Sequence, residues 1–319
     1  MKSTLNIGID ASKETLEVAV DGRGGSIKVG NELKQIKVWL SSLAEPCRIG
    51  IESTGHYHQL LVRCAMAMGH TLYVLNPKDL SHYVRSLGRR AKTDRLDAQA
   101  IARYVAREYE QLHAYQLPTA LQFELDELTQ RRRVVVQMQV SLRQSFTEVS
   151  RKPRAVARSQ RALQALIDEI DGRMASLIAK DPQLTEHAKR LRSVIGFGPL
   201  LSTVMTHALT RRSFKNGDAF VAYIGLDPKA RDSGQMRGRR FLSKRGPAEL
   251  RRLLYVAAMS ASKTSTWRAI YQRYRDRGLS STATLVIIAR KLARVAFSIV
   301  KHHTEFRPEL LQKNACAKP

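Results

Sequence analysis

Apolar and polar residues alternate at the start of the chain with a period of two. "TLNIGIDAS" reads as a strand that ends in polar residues, and "TLEVAVDG" alternates until Gly22, which makes it a hairpin partner. "GGSIKVGN" predicts a third short strand. The period then lengthens. "ELKQIKVWLSSL" has helical spacing through Leu33, Ile36, Val38, Leu40 and Leu43. "CRIGIEST" predicts a strand, "HYHQLLVRCAMAMG" a helix closed by Gly69, and "TLYVLNP" a strand stopped by Pro77. "KTDRLDAQAIARYVAREYE" predicts a helix with an apolar stripe at Leu96, Ile101 and Val105. Three early strands followed by α/β alternation predict a mixed sheet flanked by helices.

From about Pro118 to Lys189 the chain is helical in propensity and rich in Arg, Gln and Leu. "LQFELDELTQRRRVVVQMQVSLRQSF" and "SQRALQALIDEIDGRMASLIAKD" carry apolar residues at roughly heptad spacing, with the break "SRKPRAVARS" between them. This predicts an antiparallel helical hairpin, either a plain helical subdomain or a dimerisation arm. From Arg190 a third region begins. "LRSVIGFGPLLSTVMTHAL" sets Gly-x-Gly between two helical runs, and "FVAYIGLDP" precedes the glycine- and arginine-rich "KARDSGQMRGRRFLSKRGP". Helices are predicted over 248–263 and 282–302, with a frayed tail after Arg307. The predicted domains are therefore 1–115, 116–189 and 190–319.

Charge narrows the partners. Of the 319 residues, 54 are Lys or Arg and 28 Asp or Glu, a formal charge of +26. Such an excess favours a polyanion through phosphate neutralisation and counterion release. A content of 43% apolar residues is enough for packed cores, so this is not a disordered basic tail. Cys47, Cys64 and Cys316 form no CxxC pair, which argues against a disulfide framework and against a zinc ribbon and fits a reducing cytoplasm. "MKSTLNIGID" enters a strand without the apolar core of a signal peptide, and no apolar run is long enough to span a membrane.

Against that charge, a few acids stand out. Asp10 ends the first strand, Glu52 ends "CRIGIE", and Asp94 and Asp97 open a later helix with i, i+3 spacing on one face. Carboxylates at neighbouring strand ends, facing a helix that carries two more, suit Mg²⁺ or Mn²⁺ and metal-assisted phosphoryl transfer. Each also has a plain reading: Asp94 as an N-cap with Asp97 at N3, Glu52 as a surface residue, Asp10 as a turn opener.

Ser243 in "FLSKRG" is the second candidate. It follows Arg231, Gly234, Arg237, Gly238, Arg239 and Arg240, and precedes Lys244 and Arg245. Such cations can hold a phosphodiester and offset charge in a pentavalent transition state, while the hydroxyl attacks phosphorus. The alternative is a helix N-cap or a plain phosphate contact. The turn at Gly196 and Gly198 resembles half of a helix-hairpin-helix, whose amides bind DNA phosphates, or is a simple interhelical turn. His56 and His58 are read as surface or packing residues, and Leu253, Leu254, Val256 and Ala257 as core.

"IGIDASKETLEVAV", "IESTGHY", "NPKDLSHYVRSLGRRAKTDRLDAQAIA", "IGFGPLLST", "FVAYIGLDPKARDSG" and "RFLSKRGPAELRRLLYVAA" occur in that order. Together they resemble the DEDD transposases of the IS-one-ten (Piv-like) insertion-sequence family, over nearly the whole chain. The resemblance implies a RuvC-like domain of the RNase H fold, a helical coiled-coil insert and a mainly α C-terminal transposase domain. It implies that Asp10, Glu52, Asp94 and Asp97 are the metal-binding carboxylates and that Ser243 is the catalytic serine. It also implies donor and target DNA as partners, a noncoding bridge RNA as guide, and dimers that join into a tetramer. One departure is visible: Ile195 stands where the family often has proline.

The reading that results is a Mg²⁺-dependent DNA recombinase, bacterial, cytoplasmic and nucleoid-associated, with Arg237, Arg239, Arg240, Lys244 and Arg245 on phosphates. Its rivals are a RuvC-like junction-resolving nuclease that uses water, and a nucleic-acid-binding protein without catalysis. A sugar-kinase or actin-like ATPase is disfavoured, because Ala11 and Ser12 stand where such a loop has Gly-Thr.

Overall fold

The computed structural model describes residues 4–53, 57–88, 93–229 and 240–311. The chain divides into two compact units, Met1–Leu117 and Pro118–Pro319.

The first unit runs β1 (Asn6–Ala11), β2 (Thr15–Val20), β3 (Ile27–Gly30), α1 (Leu33–Ser41), β4 (Arg48–Glu52), α2 (Gln59–Ala67), β5 (Thr71–Leu75), α3 (Pro77–Ser86) and α4 (Asp94–Glu108). The sheet order is β3-β2-β1-β4-β5. β1 pairs antiparallel with β2 and parallel with β4, which pairs parallel with β5. Three antiparallel strands extended by two parallel ones, with helices on both faces, is the RNase H/RuvC-like topology.

Alternation along each strand sorts the two faces. Ile7, Ile9, Leu16, Val18, Ile49 and Ile51 pack with Ile36 and Leu40 of α1 and with Leu61 and Ala65 of α2. Each of these Ile, Leu and Val side chains, fully buried, contributes about 1.5–3 kcal/mol. On the opposite face Tyr73 and Leu75 of β5 pack with Ile101 and Val105 of α4. That face is lined at its centre by Gly8 and Gly50, which pair across β1 and β4. A Cβ on Gly8 would sit 2.1 Å from Ala102 N and Ala98 O, and one on Gly50 would sit 2.4 Å from a Val105 methyl. α4 therefore lies on the sheet with backbone against backbone, and the two strand positions tolerate no side chain without adjustment.

Local details depart from the pattern. In α1 the buried residues are Ile36, Trp39 and Leu40, whereas Leu33 and Val38 are exposed; the helix buries a narrower stripe than its apolar positions offer. In α4, Ala98 and Ala102 join Ile101 and Val105 in the buried stripe and Leu96 is only partly covered. The strand stops before Pro77 as expected, and the proline at once opens α3, a helix the pattern did not announce: Asn76 caps it through its side chain, accepting from Lys78 N, and proline takes the first helical position.

The second unit is helical: α5 (Ala120–Ser145), α6 (Arg154–Ala179), α7 (Pro182–Arg192), α8 (Pro199–Thr210), α9 (Gly217–Ile224), a two-stranded ribbon of β6 (Pro228–Lys229) and β7 (Phe241–Leu242), α10 (Ala248–Ala261), α11 (Ser265–Asp276) and α12 (Ser281–His302). α5 and α6 form the expected antiparallel hairpin, joined side by side by Gln139–Gln164, Arg132–Asp171 and Glu124–Arg173. Leu125, Val135, Ile167, Ile170 and Met174 of the hairpin share one core with α7 to α12. α8 is buried from Leu201 to Leu209. Val256, read as core, is exposed, while Leu253, Leu254 and Ala257 are buried. α11 is an additional helix held by Trp267 and Ile270. Among the described residues, no helix is long and apolar enough to cross a membrane.

Candidate active site

The first candidate station is the carboxylate end of the sheet. Asp10 and Glu52 each sit two residues beyond the glycine on which α4 rests, so both lie on the α4 face at the C-terminal ends of adjacent parallel strands. Asp10 also pairs directly with Glu17 of β2, which puts a third acid on that face. Glu17 is 8% exposed and accepts a hydrogen bond from Ser26 Oγ. Sequence reasoning passed over Glu17; its signal was an acid at a position of β2 that alternation assigns to a covered face.

Asp94 and Asp97 lie in the first turn of α4, one turn before the alanines that touch Gly8. The cap of this helix is Thr93, whose Oγ1 accepts from Leu96 N at 3.3 Å. Asp94 is therefore not the cap, and the helix start does not need either carboxylate for that purpose. Both still benefit from the positive end of the helix dipole. Asp94 is exposed, and Asp10, Glu52 and Asp97 are partly covered. None of Asp10, Glu52 and Asp97 lacks a partner. The hard-oxygen chemistry of these four side chains fits Mg²⁺ or Mn²⁺. Among the described residues, however, no three Asp, Glu, His or Cys side chains are drawn together closely enough to hold an ion. The fold brings Asp10 and Glu52 to one face of the sheet end and α4 across it, without forming a closed ligand shell. His58 occupies the N-cap position of α2, where its carbonyl accepts from Val62 N at 3.0 Å. His56 lies outside the described residues.

The second station is the turn around Ser243. α9 ends at Gly225 in the left-handed conformation, φ 77°. The chain then passes Asp227 into β6, and β7 returns it to Ser243. Ser243 N donates to Asp227 O at 3.0 Å and Lys244 N to Gly225 O at 3.1 Å. The Ser243 hydroxyl donates to Asp227 Oδ1. Lys244 adopts φ 52°, a strained value for a side-chain-bearing residue. Gly225 and Gly246, both at positive φ, let this turn press against α9: a Cβ on either would lie about 2 Å from a backbone oxygen, of Arg245 and of Tyr223 respectively.

Arg251 of α10 locks the arrangement. Its Nη1 donates to the carbonyls of Ile224, Arg245 and Gly246 at 2.8, 3.2 and 2.9 Å. Burial lowers its pKa from the ordinary arginine value. Asp227 and Arg251 were not singled out from the sequence. Their only signals were an acid just after the left-handed glycine in "IGLDP" and an arginine one helical turn after Pro247.

Cations surround this turn. Arg240, Lys244 and Arg245 are exposed. Arg231, Gly234, Arg237, Gly238 and Arg239 lie outside the described residues. On α12, burial lowers the pKa of Arg290, with repulsion from Arg294 adding to it and the Asp218 and Asp227 carboxylates opposing it. Lys291 is lowered by burial and then by Arg294, Arg273 and Arg290. Cations crowded enough to depress one another are stabilised by an arriving phosphate. The Gly196 turn joins α7 to α8, and Gly196 at φ 95° backs onto Ala257 of α10, while Gly198 is exposed as the N-cap of α8.

Family models match both parts of the chain. A DEDD transposase family model of the IS110 type matches residues 7–152, and the IS116/IS110/IS902 transposase family model matches residues 188–272. The pilin gene-inverting protein of Moraxella bovis is 24% identical over 316 residues, covering 94% of this chain and 97% of that protein. A probable family 20 transposase of Pseudomonas aeruginosa is 27% identical over 342 aligned positions, covering 95% of this chain and 98% of its own length. The transposase of insertion element IS1328 from Yersinia enterocolitica is 23% identical, with 96% and 99% covered. Matches to both halves, with relatives spanning almost the whole length, lead to one conclusion: the chain belongs to the IS110 family of insertion-sequence transposases.

Proposed function

We propose that this protein cuts and rejoins DNA as the recombinase of a mobile element, with Asp10, Glu52, Asp94 and Asp97 as the holders of Mg²⁺ or Mn²⁺ and Ser243 as the nucleophile. The observation that carries this reading is the placement of Asp10 and Glu52 on one face at the ends of adjacent strands, beneath the helix that begins with Asp94 and Asp97. A divalent ion held by these carboxylates supplies charge neutralisation at the scissile phosphate. The chain's own groups do the rest. The Ser243 hydroxyl attacks phosphorus, and the strand becomes linked to the protein while a hydroxyl is released. Bond energy is thereby conserved for rejoining, without a nucleotide cofactor. Arg240, Lys244 and Arg245, with Arg237 and Arg239, neutralise phosphate charge around that serine. Gly196 and Gly198 would add backbone contacts to DNA.

A charge of +26 supports a second polyanion beside the DNA, and we assign that place to a noncoding guide RNA that reads donor and target by base pairing. The α5–α6 hairpin, within the 116–189 segment, is proposed as the dimerisation arm of a homodimer that assembles to a tetramer. Exposed Val134, Met138 and Leu166 support this, because they leave apolar surface on an otherwise polar hairpin. A recombinase that acts on genomic DNA would work in the bacterial cytoplasm, at the nucleoid, and we propose that location.

A second reading is favoured by the first unit taken alone. Its RNase H/RuvC-like topology carries all four acids and needs no serine from elsewhere, so water could be the nucleophile at a junction. Cleavage of supercoiled junction DNA by protein purified with its RNA, in Mg²⁺, separates the two. Under the main reading Ser243→Ala and Asp97→Asn both abolish strand cutting. Under the second, Asp97→Asn abolishes it and Ser243→Ala cuts at the wild-type rate. Salt-sensitive DNA binding should survive both substitutions.

A further inference from the structure

We propose that Asp227 is the general base of the serine step, the group that takes the Ser243 proton as the hydroxyl attacks phosphorus; the proposal rests on the reading of Ser243 as nucleophile. Two contacts join these residues across a separation of 16 in sequence. The backbone of Ser243 donates to Asp227 O at 3.0 Å, and its hydroxyl donates to Asp227 Oδ1. The first contact fixes the turn, so the second is not required to hold it. A side-chain acceptor aimed at a hydroxyl that is directly followed by Lys244 and Arg245 has the geometry expected of a base.

The surroundings hold that geometry. Gly225 and Gly246 leave no room for the turn to slide, and Arg251 ties the carbonyls on both sides of it. Lys244, directly after the serine, is held at φ 52°. Strain kept in place by over-determined packing is common where a side chain must be presented in one direction. Arg290 of α12 lies within electrostatic reach of the Asp227 carboxylate. Ser243 itself is partly open, so a phosphate can reach it.

The step balances. The Ser243 O–H bond breaks and its proton goes to the Asp227 carboxylate. The oxygen forms a bond to phosphorus, and the bond from phosphorus to the departing deoxyribose oxygen breaks with its electron pair. That oxygen takes a proton from water, and Asp227 later returns one to water. Rejoining reverses each transfer, with Asp227 as the acid.

The test measures formation of the protein–DNA adduct against pH, using full-length protein with its RNA and a DNA junction, for wild type, Asp227→Asn, Asp227→Glu and Ser243→Ala. A base contributes about 10²–10⁴-fold. Asp227→Asn is expected to slow adduct formation by that factor and to remove the acid limb of the pH–rate profile, while Asp227→Glu restores part of both. Equal rates and equal profiles in wild type and Asp227→Asn overturn the proposal even though Ser243 is the nucleophile. A wild-type protein that cuts DNA with no adduct removes the serine reading, and the proposal falls with it.

A second measurement needs no DNA. In the Ser243→Cys variant, alkylation of the introduced thiol is followed against pH by mass on its own peptide. A carboxylate in contact raises a thiol's pKa, so adding Asp227→Asn should lower it by about one unit or more. No difference between the two backgrounds shows that the carboxylate does not face position 243, and overturns the proposal.

Discussion

Replacing Gly8 by alanine adds one methyl group to a strand, a change that ordinarily stabilises. Here it should do the reverse. The new Cβ would lie 2.1 Å from Ala102 N and from Ala98 O, and 2.8 Å from Ala102 Cα. Favourable contact needs about 3.5 Å. α4 must therefore lift by about 1.4 Å at its closest point, because backbone atoms cannot rotate aside. Overpacking of this kind costs about 1–3 kcal/mol, and contact with backbone on both sides places Gly8→Ala at the upper end. Gly50→Ala meets the Cγ2 methyls of Val105 and Ile101, at 2.4 and 2.9 Å, which are stiff but yield more readily than backbone; about 1–2 kcal/mol is expected there. Gly24→Ala meets nothing and is a neutral control. Thermal melts should rank the variants in that order. The same lift moves Asp94 and Asp97 away from Asp10. Misplacement by about 1 Å can cost 10²-fold in rate, so Gly8→Ala should cleave junction DNA about a hundredfold slower at a temperature where it is fully folded. If Gly8→Ala melts and cleaves like Gly24→Ala, α4 does not rest on β1 and the placement of the acids is wrong.

Other outcomes follow from single contacts. Arg251→Met should destabilise the second unit by about 2–3 kcal/mol, since three carbonyls lose a charged donor; denaturant midpoints read the loss, and Ser243 adduct yield should fall with it. Arg132→Met should cost about 1–3 kcal/mol, because Asp171 loses its two-fold partner while Glu249 keeps its own pair with Arg252, whereas Arg131→Met, at an exposed pair with Glu127, should change melting by about 0–1 kcal/mol. His70 Nδ1 accepts from Cys47 N at 3.1 Å and burial lowers its pKa, so the unfolded chain takes the proton more readily. Stability is then present above the ordinary histidine range and is lost as pH falls through it toward the lowered folded value; the melting temperature of His70→Gln should change less between pH 7.5 and 5.5 than that of wild type. Lys291→Gln should stabilise the free protein, by relieving burial and three repulsions, yet weaken DNA binding and reduce its salt slope by about one.

Much of the first unit is legible in its period. Strands of four to six residues with clean alternation, such as "NIGIDA" and "TLEVAV", announce both the sheet and the face each residue occupies. In a basic chain Asp10 and Glu52 stand out as acids at strand ends, and Asp94 and Asp97 as a pair opening a helix. α3 is harder to see: Pro77 after Asn76 reads equally as a stop or as a capped start, and only packing decides. α11 hides because "STWRAIYQRYRD" is mostly polar and is anchored by just Trp267 and Ile270. The Ser243–Asp227 contact is invisible along the chain, since the short β6–β7 pairing, not any local pattern, brings the two together. Close approach at Gly8 is likewise a property of what lies above the strand. A glycine inside "NIGIDA" signals only that something needs the space.

The most direct measurement is peptide mass mapping of the protein after reaction with supercoiled DNA that carries an element junction, with any RNA that copurifies with it and Mg²⁺. The account predicts a nucleotide remnant on the peptide bearing Ser243, absent when Asp10, Glu52 or Asp97 is replaced by its amide. Cut DNA with every peptide unmodified would contradict it, and would assign the cutting to water at the carboxylate end of the sheet.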